Sequence, residues 1–283
     1  MIIGIIPHAR KESAVSLAKD LVNYLEERKV SIWLDKGTAR LLGFPKYGHD
    51  MAELTKVDAL VILGGDGTLL SSARLVSDLN VPLLGVNLGH LGFLTEIESK
   101  NLYPAMEQIL ANNYTLEKRM FIDCDVIRDQ KSIARYRALN DVVVTRGTFA
   151  RIIQLSSYID SQHVADYKAD WIIVSTPTGS TAYSLSAGGP LIDPLLESIG
   201  LTPICPHTLS ARPVLARASS VVKLEIEAAH QDVMLTVDGQ LGFRLRSGDA
   251  IEVRKSPVYV HFIKLKGHNF FEILHSRMKM PQV

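Results

Sequence analysis

Cysteine, net charge and lipid-ready hydrophobic runs are all scarce in this 283-residue chain, and each scarcity excludes something. The two cysteines, Cys124 and Cys205, are far apart and have no ligand spacing. That excludes a disulfide framework and suits a reducing compartment. There are 31 lysines and arginines against 30 aspartates and glutamates, a formal charge of 31 − 30 = +1. No basic or acidic block interrupts this balance, so neither nucleic acid nor an anionic membrane is expected as the main partner. Residues 171–192 carry no charge, which raises the question of a membrane span. Their serines, threonines, glycines and Pro177 cannot make a lipid-facing helix. The apolar first seven residues lack a basic lead and a small-residue cleavage site, so they read as a first strand rather than a signal peptide. The expectation is a soluble cytoplasmic protein. Walker, G-x-G-x-x-G, G-x-S-x-G and H-E-x-x-H patterns are missing, and the nine histidines show no ligand spacing.

What is present is an alternation of strands and helices followed by a change of texture. Residues 12–29 have helical spacing of Ala14, Leu17, Ala18, Leu21, Val22 and Leu25. Strands are expected at 31–34, 59–63 and 81–86, with helices from Thr68 onward and over 102–110; the segment up to Tyr47 reads as irregular. This pattern implies a parallel sheet covered by helices, a Rossmann-like α/β domain over residues 1–117. From about residue 117 apolar and polar residues alternate. Strands at 120–127, 133–139, 141–145, 152–158, 221–227, 233–237 and 258–265 make residues 118–265 a β-rich, sandwich-like domain, with Asp238-Gly239 as a hairpin turn. The cleft between two such halves is the default ligand site.

Three stretches carry candidate chemistry. Leu60 to Leu63 reads as a buried strand, and Gly64-Gly65-Asp66-Gly67-Thr68 turns it into a helix whose inner face carries Leu69, Ala73 and Val76. A glycine turn before a helix favours an anion, and Asp66 is an acid in that place. Either Asp66 caps the helix, or it addresses a hydroxyl, sugar or metal beside a phosphate. The second stretch, Asn87-Leu88-Gly89-His90-Leu91-Gly92-Phe93-Leu94, also follows a strand, where open sheets bind ligands. The third runs from Ser175 to Pro190, between a strand at 171–174 and an expected helix at 191–199. Its crowded hydroxyls suit a polyhydroxylated, phosphate-bearing ligand better than a turn that only satisfies its own backbone. Asn140-Asp141 places two polar side chains at a strand entrance, which by itself is more often a turn than a site. Residues 207–213 place His207 near Arg212, where either side chain suits a phosphate or the stretch is a plain surface loop.

Taken together and in this order, the glycine turn, residues 87–94, Leu139-Asn140-Asp141, residues 175–189 and Asp238-Gly239 resemble the bacterial NAD kinase family over nearly the whole chain. The first motif alone is shared with diacylglycerol and sphingosine kinases; the hydroxyl-rich one is specific. The resemblance implies transfer of the terminal phosphoryl of ATP, as its Mg2+ complex, to the 2′-hydroxyl of the adenosine ribose of NAD, giving NADP and ADP. It further implies a homo-oligomer, usually a tetramer and otherwise a dimer, with NAD lodged between domains and subunits and a tail at about 266–283 packed back on the first domain. Asp66 would orient or deprotonate the hydroxyl. Gly67, Phe93, Asn140, Asp141, Asp170, Thr181, Ala182, Tyr183 and Ser186 would bind NAD, and Gly64, Gly65, Gly67 and Thr68 would face phosphates. No metal ligands are assigned. This chain departs from the family at three places. Asp141 stands where the family has glutamate, so a carboxylate contact there is expected to pass through water. Trp171 stands where a glycine usually follows the aspartate, and Leu94 where some members carry an aromatic. The rival readings are a lipid kinase and a nucleotide sensor without turnover.

Overall fold

The computed structural model describes residues 1–89, 91–146, 153–207, 211–227, 233–265 and 269–278. The chain forms two compact units, residues 1–118 with 260–283, and residues 119–259.

The first unit is built on short apolar strands that are buried because helices cover the sheet. Its elements are β1 (Ile2–Pro7), α1 (Glu12–Glu27), β2 (Ser31–Asp35), α2 (Lys36–Leu42), β3 (Gly48–His49), β4 (Ala59–Leu63), α3 (Asp66–Leu75), β5 (Leu83–Asn87), β6 (Ile97–Glu98) and α4 (Leu102–Leu110). The order β5-β4-β1-β2-β3 is parallel throughout, and β6 pairs with β5. The chain therefore leaves β1 in one direction and returns to its other side with β4. That reversal, between β1 and β4, is where ligands bind in sheets of this kind. The α1 stripe Ala14, Ala18, Leu21, Val22 and Leu25 is buried, and all five β4 residues are buried. The segment expected to be irregular contains α2. Asp35 caps that helix by accepting from the Gly37 and Thr38 amides, and Gly43, at φ 83°, ends it.

The second unit is antiparallel. It contains most of β7 (Thr115–Arg128), then β8 (Lys131–Ala138), β9 (Asp141–Arg146), β10 (Ile153–Ile159), β11 (Gln162–Ala169), β12 (Trp171–Ser175), α5 (Tyr183–Ser186), β13 (Ser198–Ile204), β14 (Val214–Arg217), β15 (Val222–Glu227), β16 (Val233–Val237), β17 (Leu241–Leu245) and the start of β18 (Ala250–Lys264), which the chain follows back into the first unit. One sheet has the order β14-β13-β12-β9-β16-β17; the other includes β11-β10-β15-β18. Residues of both, among them Val142, Ile172, Leu235, Leu155, Leu224 and Val253, share one buried cluster, the packing of a β-sandwich. The helix expected at 191–199 is absent: a turn occupies residues 194–196 and β13 begins at Ser198. Only Ser198 and Ile199 of this stretch join the sheet, opposite Arg217 and Ala216 of β14, and a short apolar run fits helix, strand or turn until its neighbours are known. A final helix, α6, spans Phe270–Met278. Among the described residues no helix is long and apolar enough to cross a membrane.

Candidate active site

In the first unit the site grows from the end of β4, at the switch point. Gly64 donates to the Val86 carbonyl at 2.9 Å, and the His8 amide at the end of β1 donates to the Leu63 carbonyl at 2.8 Å. The helix begins two residues earlier than the apolar pattern suggests. Gly65 is its N-cap, with extended backbone, and Asp66 is its first residue. Asp66 does not cap it. Its Oδ2 instead accepts from the Phe93 amide at 2.9 Å, and its Oδ1 from the Leu94 amide at 3.3 Å. These two bonds fix the carboxylate's direction. They require close approach, because a Cβ at Gly92 would overlap Asp66 Oδ1. Gly65 has the opposite surroundings: a Cβ there would meet no protein atom within 4 Å. Gly64 and Thr68 meet each other, since a Cβ on Gly64 would lie 2.5 Å from Thr68 Oγ1.

In the second unit the end of β12 meets the entrance of β9. Thr176 bonds both ways, its Oγ1 donating to the Leu139 carbonyl at 2.5 Å and accepting from the Gly179 amide at 3.0 Å. Its amide donates to the Asn140 carbonyl. A Cβ on Gly179 would overlap that same carbonyl, so the loop lies tight against residues 139–141. From the other side Asp238 accepts from the Leu139, Asn140 and Asp141 amides at 3.1, 2.8 and 3.1 Å. It can reach all three because Asp238 and Gly239 both have positive φ, 49° and 63°, in the turn between β16 and β17. The Asn140 side chain is aimed from this clamp, and its buried Oδ1 has no partner. Asp141 is 4% exposed. Burial, then the neighbouring Asp238 charge, pushes its carboxyl up to about 7.

The hydroxyls of residues 175–186 divide into two sets. Thr176, Thr178, Ser180 and Ser184 are buried and bonded within the protein, Ser180 to both polar groups of the Ile192 backbone and Ser184 to Thr202. Thr178 receives a hydrogen bond from buried Arg119. The other set is more accessible, although the Thr181 hydroxyl donates to the Thr178 carbonyl at 3.2 Å. Thr181, Ala182 and Tyr183 are half-buried and Ser186 is exposed. Asp170 and Trp171 are also half-buried, and the Trp171 ring lies 5.2 Å from the Tyr183 ring at 50°. The sequence-predicted residues thus form two clusters. Gly64, Gly65, Asp66, Gly67, Thr68 and Phe93 lie in the first unit, and Asn140, Asp141, Asp170, Thr181, Ala182, Tyr183 and Ser186 in the second. Sequence reasoning left out Gly92, Thr176 and the clamping role of Asp238, although each lies inside or beside a quoted motif. Residues 208–210, between His207 and Arg212, and His90 lie outside the described residues.

A glycine turn bearing an oriented acid at an α/β switch point, with a β-sandwich carrying a clamped Asn-Asp pair and a hydroxyl loop, defines a nucleotide-handling protein. Comparison with known proteins narrows that class. Residues 3–114 match the ATP-NAD kinase N-terminal domain and residues 139–265 the ATP-NAD kinase C-terminal domain. The chain is 43% identical to the NAD kinase of Caldanaerobacter subterraneus subsp. tengcongensis, with 98% of each chain covered. Against the NAD kinase of Moorella thermoacetica it is 46% identical, over 98% of this chain and 89% of the other. Yeast NADH kinase complexed with NADH superposes with a TM-score of 0.89 at 27% identity, covering 99% of this chain and 87% of that one. An Archaeoglobus fulgidus NAD kinase in complex with ATP has the same fold, with a TM-score of 0.76 at 24% identity and 99% of both chains covered. The chain belongs to the NAD kinase family.

Proposed function

We propose that this protein transfers the terminal phosphoryl group of ATP to the 2′-hydroxyl of the adenosine ribose of NAD, releasing NADP and ADP. The observation that carries this reading is Asp66, a carboxylate held by two backbone amides at the head of a glycine turn in a chain of the NAD kinase family. A carboxylate is a much weaker base than an alkoxide, so early removal of the ribose proton is uphill. Phosphoryl transfer through a loose transition state asks little of the nucleophile beyond position. Asp66 therefore orients the hydroxyl and takes its proton late, as the bond from ribose oxygen to the γ-phosphorus forms and the β,γ-bridging bond breaks.

Gly64, Gly65, Gly67 and Thr68 are assigned to phosphate. Gly65 supports this most directly, because neither its φ nor its protein neighbours demand a glycine, whereas an approaching ligand does. Phe93, Asn140, Asp141, Asp170, Thr181, Ala182, Tyr183 and Ser186 are assigned to NAD. The unpartnered Oδ1 of Asn140 is suited to a donor such as a ribose hydroxyl or the adenine amino group. Among the described residues no group of three or more His, Cys, Asp or Glu side chains converges to hold a metal ion. Mg2+ is assigned to the substrate as the family resemblance implies, arriving on the phosphates of ATP. The reading includes a cytoplasmic homo-oligomer, supported by the free thiols of Cys124 and Cys205 and by Leu195, Leu196 and Leu215, which expose more than half their surface.

The test is incubation of the purified protein with NAD, ATP and Mg2+, with NADP read by an NADP-specific dehydrogenase. NADP formation dependent on ATP is expected. Tight NAD binding with no NADP would make the protein a sensor, and phosphorylation of a lipid in its place would make it a lipid kinase.

A further inference from the structure

Asp66 is aimed by a strap of five residues, and the strap is itself clamped at its far end. Residues 92–96 begin with Gly92, whose amide donates to Thr95 Oγ1 at 2.7 Å. Thr95 is 2% exposed, and the Asn87 side chain donates to the same oxygen at 3.4 Å. That short ring holds the Phe93 and Leu94 amides where they meet Asp66. The strap then runs into Glu96, whose amide donates to the Gly85 carbonyl at 2.9 Å. The Glu96 side chain, 6% exposed, pairs with the Lys264 ammonium at the end of β18, and its Oε1 accepts from the Leu265 amide at 2.9 Å. Burial pushes the Glu96 carboxyl above the ordinary glutamate range, although Lys264 and the Leu265 amide pull it down. A carboxylate so placed depends on its partners.

Leu91, just before the strap, and Glu96, its last residue, line a cavity of about 400 Å3 together with Ile97, Glu98, Pro104 and Leu265. The polar contacts at Thr95 and Glu96 bracket the Phe93 and Leu94 amides and set where they stand. We propose that Thr95, Glu96 and Lys264 are positioning residues for the Asp66 carboxylate, so that its reach to the acceptor hydroxyl depends on an ion pair made by the C-terminal strand. The proposal rests on the role given to Asp66 above.

Steady-state kinetics of the full-length protein test it, with Thr95→Val and Thr95→Ser, Lys264→Met and Lys264→Arg, and Asp66→Asn alone and combined with each of the first and third. A displacement on the order of 1 Å at the reacting groups lowers the rate roughly 100-fold. Thr95→Val and Lys264→Met are expected to lower kcat about 10- to 100-fold and to leave KM for NAD and for ATP within about twofold, while Thr95→Ser and Lys264→Arg recover most of the loss. In the Asp66→Asn background neither change should lower kcat further, because the group being aimed is gone. Should Lys264→Met fail to fold, Thr95→Val decides. Unchanged kcat in folded Thr95→Val, a rise confined to KM, or an equal loss with and without Asp66 overturns the positioning role and leaves the role of Asp66 standing. Wild-type kcat in Asp66→Asn overturns both.

Discussion

Two glycines at the head of the site are needed for opposite reasons. Gly92 lacks a side chain because the protein is in the way: a Cβ there would strike the Asp66 carboxylate. Gly65 has no such neighbour and no unusual φ. On the reading proposed above, a residue that the fold permits to be larger, standing at a switch point beside an oriented acid, keeps its space for a phosphate. Gly65→Ala should therefore fold with a melting temperature close to wild type and raise KM for ATP by about tenfold or more, since a steric intrusion on a phosphate that costs 1.4 kcal/mol is a factor of ten. Differential scanning fluorimetry and ATP titrations check the two halves of that statement. A drop in melting temperature with unchanged KM would return Gly65 to the fold.

At the scale of elements, the turn between β16 and β17 does more than reverse the chain. Asp238 presents its carboxylate to three successive amides at the head of β9, and the same residues are gripped by Thr176 and crowded by Gly179. The backbone at Asn140 and Asp141 is thereby held, and the Asn140 Oδ1 is left without a protein partner. Asp238→Ala leaves three donors without their acceptor, each worth on the order of 1 kcal/mol or more. At pH 6 it should destabilise the protein by roughly 3 kcal/mol in urea melts and raise KM for NAD. An unchanged KM would show that the clamp serves stability alone. The hydroxyl loop follows the same logic. Its abundance of serine and threonine is visible in the sequence, but the division of labour is not. Thr176, Ser180, Thr181 and Ser184 bond within the protein, whereas Ser186 is exposed, because only packing against residue 139, β13 and residue 192 decides which of the hydroxyls are consumed internally.

For the whole molecule the consequence of this clamp is a pH dependence of stability. Asp141 is buried next to Asp238 and its carboxyl is raised from 3.8 to about 7. The folded protein therefore keeps a proton that the unfolded chain releases near pH 4. Stability from this group is fully present below about pH 4 and is lost as pH rises toward 7, a loss of about 4 kcal/mol for a shift of roughly three pH units. Asp141→Asn carries no such titration. In chemical denaturation the variant should match wild type near pH 4 and exceed it increasingly up to pH 8. A difference independent of pH would mean that Asp141 is ionised throughout.

The sequence alone was enough for the strand-to-helix turn at residues 63–69, the alternation of β and α before residue 110, the β-rich texture after it, and the family resemblance. Those features are local: periodicity, glycine placement and motif order survive without knowledge of what packs on what. It misled at 36–42, where a capped helix reads as an irregular segment, and at 191–199, where the chain turns at 194–196 and only its last two residues enter a strand. Tertiary structure decided what Asp66 touches. An acid at a helix start reads equally as a cap or as a binding group, and only the return of the chain at Gly92, 26 residues later and one strand across the sheet, supplies the amides that fix its direction. The same is true of Asp238, nearly a hundred residues from the backbone it holds. Contacts so distant along the chain depend on sheet order and register, and neither is written in the residues around the motif.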